Sequence, residues 1–191
     1  MTVSVVSICN RALDTLGADP ITSLEDTSKA ARLCARNYVI SRDAVLRAYP
    51  WNCAMARASL AALTDTPAFG FAYYYQVPDD FLRLWRLQDD DEGVVKWRLE
   101  GRRIATDQAA PLLIVYAQVV EDPAQFDALL VDALAARLAA DIAYSLVGSQ
   151  QAQAQAWDVY RAKLAEARQI DAQEQGVVDE FSAPDWIESR L

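Results

Sequence analysis

The chain carries 27 carboxylates and not one histidine, and that combination decides most of the chemistry open to it. Histidine is the commonest general base near neutral pH and the commonest metal ligand, so Ser–His and Cys–His nucleophile pairs are out of reach. What remains is a pair of carboxylates working as acid and base, as in a carbohydrate hydrolase. The densest candidates are Asp79-Asp80 and the run from Asp89 to Glu92. Adjacent acids on a strand or turn point in different directions, and a run of four reads most simply as a solvated loop. Cys9, Cys34 and Cys53 are widely spaced and form no Cys-x-x-Cys pair. They read as buried free thiols of a reducing compartment, not as a zinc site or a disulfide framework. The six glycines stand singly, so the sequence holds no glycine-rich phosphate loop, and it holds no Asp/Asn/Gly calcium loop. No catalytic, cofactor-binding or metal-ligating residue is therefore expected.

Two clusters could bind instead of react. The stretch YYYQVPDDFLRLWRL at 73–87 joins aromatics to Arg83 and Arg86, with Lys96, Arg98, Arg102 and Arg103 further on. Aromatics beside a basic groove can stack single-stranded bases, the signature of a nucleic-acid-binding regulator. Against that, residues 65–122 carry 11 acids and the whole chain a formal charge of -9, whereas phosphate binding needs clustered cations. Aromatics in strands serve more often as core or interface. The second cluster is a helical stripe, Lys29, Arg32, Arg36, Asp43 and Arg47, which shares one face. It is either a solvated face or a contact for an acidic partner. Residues 1–64 are the mildly basic end, with 7 cations to 5 acids, and the remainder is acidic.

The elements that must position these groups are visible in the spacing. Val5, Ile8 or Cys9, Ala12 and Leu16 predict a helix over 3–16, with Gly17 as its stop, and a second helix runs from Ser28 to Ala48 before Pro50. The first 17 residues lack a basic leader and are interrupted by Asn10, Arg11 and Asp14, so neither a signal peptide nor a membrane span is expected. From Trp51 to Ala117, short runs broken by Pro and Gly predict antiparallel strands, including a hairpin at Glu100-Gly101-Arg102 and an apolar strand at PLLIVYAQVV. In the segment 73–87, Leu82 and Leu84 are expected to face inward. Helix returns at EDPAQFDALL, with Asp122 as cap and Pro123 as first residue, and a last helix covers 150–175. Between Asp127 and Val147 almost every residue is apolar, with Arg137 and Asp141 spaced as an i,i+4 pair. A helix apolar nearly all round must be covered nearly all round, and a neighbouring subunit is the expected source of part of that cover. Phe181, Trp186, Ile187 and Leu191 are apolar anchors in an acidic tail that suits an extended, docked arm.

The order of signals resembles the tail tubular protein A family, the head-to-tail adaptors of short-tailed bacteriophages. The resemblance rests on LDTLGADPITSLED, RAYPWNCAMARASL, YYYQVPDDFLRLWRL, WRLEGRRIATDQAAPLLIVYAQ and the helical pair DPAQFDALLVDALAARLAADIAYSLVGS and WDVYRAKLAEARQIDAQEQ. It covers residues 1–175; the Tyr-x-Val-Pro-Asp-Asp segment followed by Leu-Arg-Leu, and the Glu-Gly-Arg hairpin followed by an apolar strand and Asp-Pro, are its most specific pieces. It implies a structural virion protein at the head–tail junction, made in the host cytoplasm. Copies would form a ring, typically of twelve, between the portal and the tail nozzle or tail tubular protein B. Double-stranded DNA would pass through without specific binding and without chemistry, and no membrane would be involved.

These readings combine into an α+β expectation: about four helices, an N-terminal and a C-terminal pair, with an inserted antiparallel β-region. The helical domain is expected from 1–50 and 120–175, the β domain from 51–119 and the arm from 176–191. Candidate subunit or portal contacts are Tyr74, Pro78, Asp79, Arg83, Trp85, Leu134, Leu138, Ile142, Phe181, Trp186 and Leu191, with Lys29, Arg32, Arg36 and Arg47 as the basic face.

Overall fold

A computed structural model of the chain describes residues 3–88 and 94–174. The fold is α+β, with four α-helices and two small antiparallel sheets of three strands each. In chain order the elements are α1 (Val5–Thr15), α2 (Lys29–Ala48), β1 (Met55–Leu60), β2 (Tyr73–Gln76), β3 (Phe81–Leu87), β4 (Trp97–Glu100), β5 (Arg103–Thr106), β6 (Leu112–Gln118), α3 (Ala128–Val147) and α4 (Gln150–Gln173).

Each helix starts where a short polar side chain can satisfy its free N–H groups. Ser4 and Ser7 form a reciprocal capping box on α1, at 3.1 and 2.9 Å. Ser28 accepts from the Ala31 N–H, and Ser149 from that of Ala152. At α3 the capping residue differs from the expected one. Asp122 and Pro123 open only a 3-10 turn, Pro123–Gln125, and Asp127 caps the α-helix by accepting from Leu129 and Leu130 at 2.7 and 3.1 Å. Both aspartates suit a cap; the sequence pattern alone did not say which one the long helix uses. Gly148, at φ +76, closes α3 in the left-handed conformation and lets α4 turn back against it.

α3 packs on α1, α2 and α4 of its own chain. Leu134, Leu138 and Ile142 are 2%, 0% and 0% exposed, so the expectation that a neighbouring subunit covers them is overturned. Alanine is the reason. Ala133, Ala135, Ala136, Ala139, Ala140 and Ala143 are all buried, and small side chains let three helices close around one axis. The remaining exposed large apolar residues of α3 are Tyr144 and Val147, at its C-terminal end.

The expected Arg137–Asp141 pair is present at 2.8 Å, and it ties three helices together. Ser41 of α2 donates to the same carboxylate oxygen at 2.7 Å, while the Arg137 guanidinium lies 5.0 Å from the Trp157 ring of α4. Asn10 holds the loop after α1 by a two-way hydrogen bond with the backbone of Ile21.

The sheets run β1–β6–β3 and β2–β5–β4. Their shared core of Tyr75, Val77, Leu84, Leu87, Ile104, Leu112, Ile114 and Tyr116 is separate from the helical core, which takes in Trp51, Ala54, Val120 and Phe126. Register shifts between Phe81 and Arg83 and between Leu84 and Arg86 break the alternation of β3. Leu84 therefore faces the sheet core, whereas Leu82, also expected to face inward, packs half-buried on the helical core.

Candidate interaction surfaces

The strand β4 reads Trp97-Arg98-Leu99-Glu100, and period-two alternation puts Trp97 and Leu99 on one face and the charges on the other. β4 is an edge strand, joined to β5 through a turn at Gly101, where φ is +63. All four of its residues are exposed, Trp97 at 40% and Leu99 at 37%. The apolar face of β4 forms one wall of a groove whose other lining residues are Arg47, Arg83, Leu84 and Trp85. Arg83 lies with its guanidinium carbon 4.1 Å from the centre of the Trp85 ring. Arg47, at the end of α2, donates to the carbonyl of Leu82, and Arg83 reaches back to the carbonyl of Arg47 at 3.4 Å. Neither cation is ion-paired with a carboxylate of the described residues. The Trp85 indole N–H is buried with no acceptor among them. The groove thus offers two guanidinium groups, two indoles and two leucines.

A second pair of surfaces lies on the helices. The stripe of α2 is exposed as expected at Lys29, Arg32, Arg36 and Arg47. Lys29 donates to the carbonyl of Leu146 and Arg32 to that of Thr27, while Arg47 belongs to the groove. Asp43, read as the stripe's one acid, pairs at 2.8 Å with Arg42, a buried arginine the spacing did not single out. Val39 and Ile40, 49% and 63% exposed, stand beside Arg36 on the same outer side. On α4, Val159, Ala162, Glu166 and Ile170 form another outward stripe, with Val159 and Ile170 about two-fifths exposed (42% and 40%). α2 and α4 both pack on α3 and not extensively on each other. The molecule therefore presents two unlike, partly apolar helix faces.

The other expected contact residues are spread out. Tyr74 is held in its own sheet, donating to Glu100 at 2.8 Å with the Arg103 guanidinium 5.6 Å from its ring. Tyr75 is fully buried, so the three tyrosines make no continuous stacking platform. Pro78 forms the turn before β3, its carbonyl accepting from Arg102. Asp79 is fully exposed, 3.7 Å from Arg102, while Asp80 accepts from the Tyr116 hydroxyl at 3.1 Å. The two carboxylates do different jobs and do not face each other across a cleft. Asp89 to Glu92, Phe181, Trp186 and Leu191 lie outside the described residues.

One polar site was not legible. Asp171 of α4 is 4% exposed and accepts from the Asn52 N–H at 3.1 Å, while its own carbonyl accepts from the Asn52 side chain at 3.0 Å. Arg168 donates to the carbonyl of Ala48 and lies over the Tyr49 ring. Together they fasten the end of α4 to the α2–β1 connection. Burial raises the Asp171 pKa above the ordinary carboxylate range; the Asn52 N–H opposes this, and Asp127 and Glu174 reinforce it. The three cysteines are free, and Cys53 is only half-buried. Burial, followed by the charges of Asp127 and Asp171, pushes its thiol up to about 11, which keeps it from acting as a nucleophile.

No group of three His, Cys, Asp or Glu side chains among the described residues could hold a metal ion. No helix among them is long and apolar enough to cross a membrane. Compared with known proteins, the chain matches no family model and no curated sequence.

Proposed function

We propose that the chain is a ring-forming head-to-tail adaptor of a short-tailed bacteriophage, joining the portal to the tail nozzle around the DNA ejection channel. What carries this reading is the pair of unlike helix faces, basic and apolar on α2 (Arg32, Arg36, Val39, Ile40), apolar with one acid on α4 (Val159, Ala162, Glu166, Ile170). Two different faces on one subunit favour head-to-tail contacts between copies, and such contacts close into rings when the rotation permits. The buried α3 no longer contributes to this argument. The collinear order of motifs that resembles the adaptor family supports the same conclusion and supplies the expected count of twelve. The subunit acts by shape and rigidity: its polar interior groups, Ser41, Arg137, Asp141 and Asp171, tie elements together. The acidic balance would favour sliding of DNA over adhesion.

The test is electron microscopy and solution mass of the purified protein, alone and mixed with its portal. Rings seated on the portal are the expected result. A strict monomer that ignores the portal but turns over a glycan, or shifts a nucleic acid in a salt-dependent way, would replace this reading with one of its rivals.

A further inference from the structure

The groove between the end of α2 and the strands β3 and β4 is unfilled by the described residues, and its composition is selective. Tryptophan and arginine are the residues that dominate binding energy at protein contacts. Here Trp85, Trp97, Arg83 and Arg47 converge with Leu84 and Leu99. Among the described residues both guanidinium groups bond only to carbonyls, so neither charge is matched by a carboxylate there. A fitting occupant brings carboxylates for the arginines and an aromatic or aliphatic side chain for the indoles.

The chain itself contains such a segment. Residues 176–191 read GVVDEFSAPDWIESRL, in which Asp179 and Glu180 directly precede Phe181, and Asp185 and Glu188 flank Trp186 and Ile187. The position where this segment begins matters as much as its chemistry. α4 is fastened at Asp171 to Asn52 and at Arg168 to Ala48, one residue past Arg47 of the groove. Seven residues, 175–181, span up to roughly 23 Å when extended, so Phe181 starts from an anchor beside the α2–β1 connection with that much reach. A tether this short holds the segment near the groove at an effective concentration on the order of millimolar.

We propose that residues 176–191 dock in the groove of their own subunit. The carboxylates of Asp179 and Glu180 pair with Arg83 and Arg47, and Phe181 or Trp186 packs between Trp85 and Trp97. Docked this way, the segment covers the exposed apolar face of β4, Trp97 and Leu99, and removes it from water. This docking is independent of ring formation.

The experiment uses the full-length protein with a photo-crosslinking benzoyl-phenylalanine at position 181. Equal amounts of light and heavy isotope-labelled protein are mixed before irradiation, and the crosslinks are mapped by mass spectrometry. Same-isotope crosslinks from position 181 to residues 83–85 or 97–99 are expected. The combined Arg47→Glu and Arg83→Glu variant should lower their yield by about tenfold, as the loss of one good contact would. Trp97→Ser, which leaves the helical core untouched, should lower it as well and covers the case in which the double variant does not fold. A synthetic 176–191 peptide should compete only once its concentration exceeds the roughly millimolar level set by the tether. Mixed-isotope crosslinks, crosslinks mapped elsewhere, no crosslinks at all, or a yield indifferent to folded variants would each overturn the proposal.

Discussion

Asp171 has one oxygen bonded to the Asn52 N–H and the other buried without a partner among the described residues. Its charged form is therefore disfavoured in the fold, and its pKa is raised by burial. The sign of the pH effect follows. A carboxylate whose folded pKa exceeds its unfolded value adds stability that is complete below the unfolded pKa and is lost as pH rises through the folded one. Asp171→Asn keeps an acceptor for Asn52 and removes the charge. Its denaturant midpoint should equal or exceed that of the wild type at pH 7, and the difference should shrink or reverse as pH falls towards 4. A variant markedly less stable at pH 7 would show that the carboxylate charge is needed. A simpler expectation concerns Leu138, wholly buried within α3: Leu138→Ala should cost about 2–5 kcal/mol in urea unfolding. Little of this was legible in the sequence. Spacing puts Asp171 on one face of the last helix with Trp157, Tyr160, Leu164 and Ala167, but it cannot name the partner Asn52, 119 residues away. Arg42 reads as surface, although only contacts between helices decide that it is buried.

At the scale of elements the sequence is more informative, because helix and strand periods are local properties. Helices α1, α2 and α4, the Gly101 hairpin and the apolar β6 lie where periodicity and punctuation place them, while α3 begins at Ala128, after the expected start at Pro123. Two misreadings have physical causes. The bulges of β3 cannot be seen in the sequence, so Leu82 and Leu84 were assigned the same environment, although they belong to different cores. Trp97 and Leu99 were passed over, yet their alternation with Lys96, Arg98 and Glu100 is the mark of an edge strand with one apolar face. The start of α3 offers a direct comparison. Asp127→Ala removes the acceptor for two helix N–H groups and should destabilise the protein by about 1–2 kcal/mol. Asp122→Ala touches only the 3-10 turn, and its midpoint should move much less. Equal losses by chemical denaturation would mean that the turn and the helix form one cooperative cap.

At the scale of the whole molecule, the apolarity of α3 invited the inference that copies must cover it, yet an apolar helix need only be covered, and alanine made cover by its own chain possible. The proposed association rests on the outer helix faces instead, and its geometry makes a specific demand. If α2 of one copy meets α4 of the next, each copy uses two different faces, so disabling either face alone should stop growth. Ile40→Glu disables the α2 face and Val159→Arg the α4 face, each placing a charge on an exposed apolar contact without entering the core. Each variant alone should fail to form rings, since every contact in a homogeneous ring then contains one damaged face. Mixed together, the intact α4 face of the first variant meets the intact α2 face of the second, and that one sound interface leaves damaged faces at both ends. The mixture should therefore yield heterodimers and nothing larger, read as a doubling of mass by light scattering or native mass spectrometry at concentrations where the wild type assembles. Where assembly needs the portal, the same pairing is read as occupancy of portal seats by adjacent pairs. A symmetric back-to-back contact predicts otherwise: a variant whose used face is damaged could not be rescued by its counterpart, and a variant whose unused face is damaged would still dimerise alone.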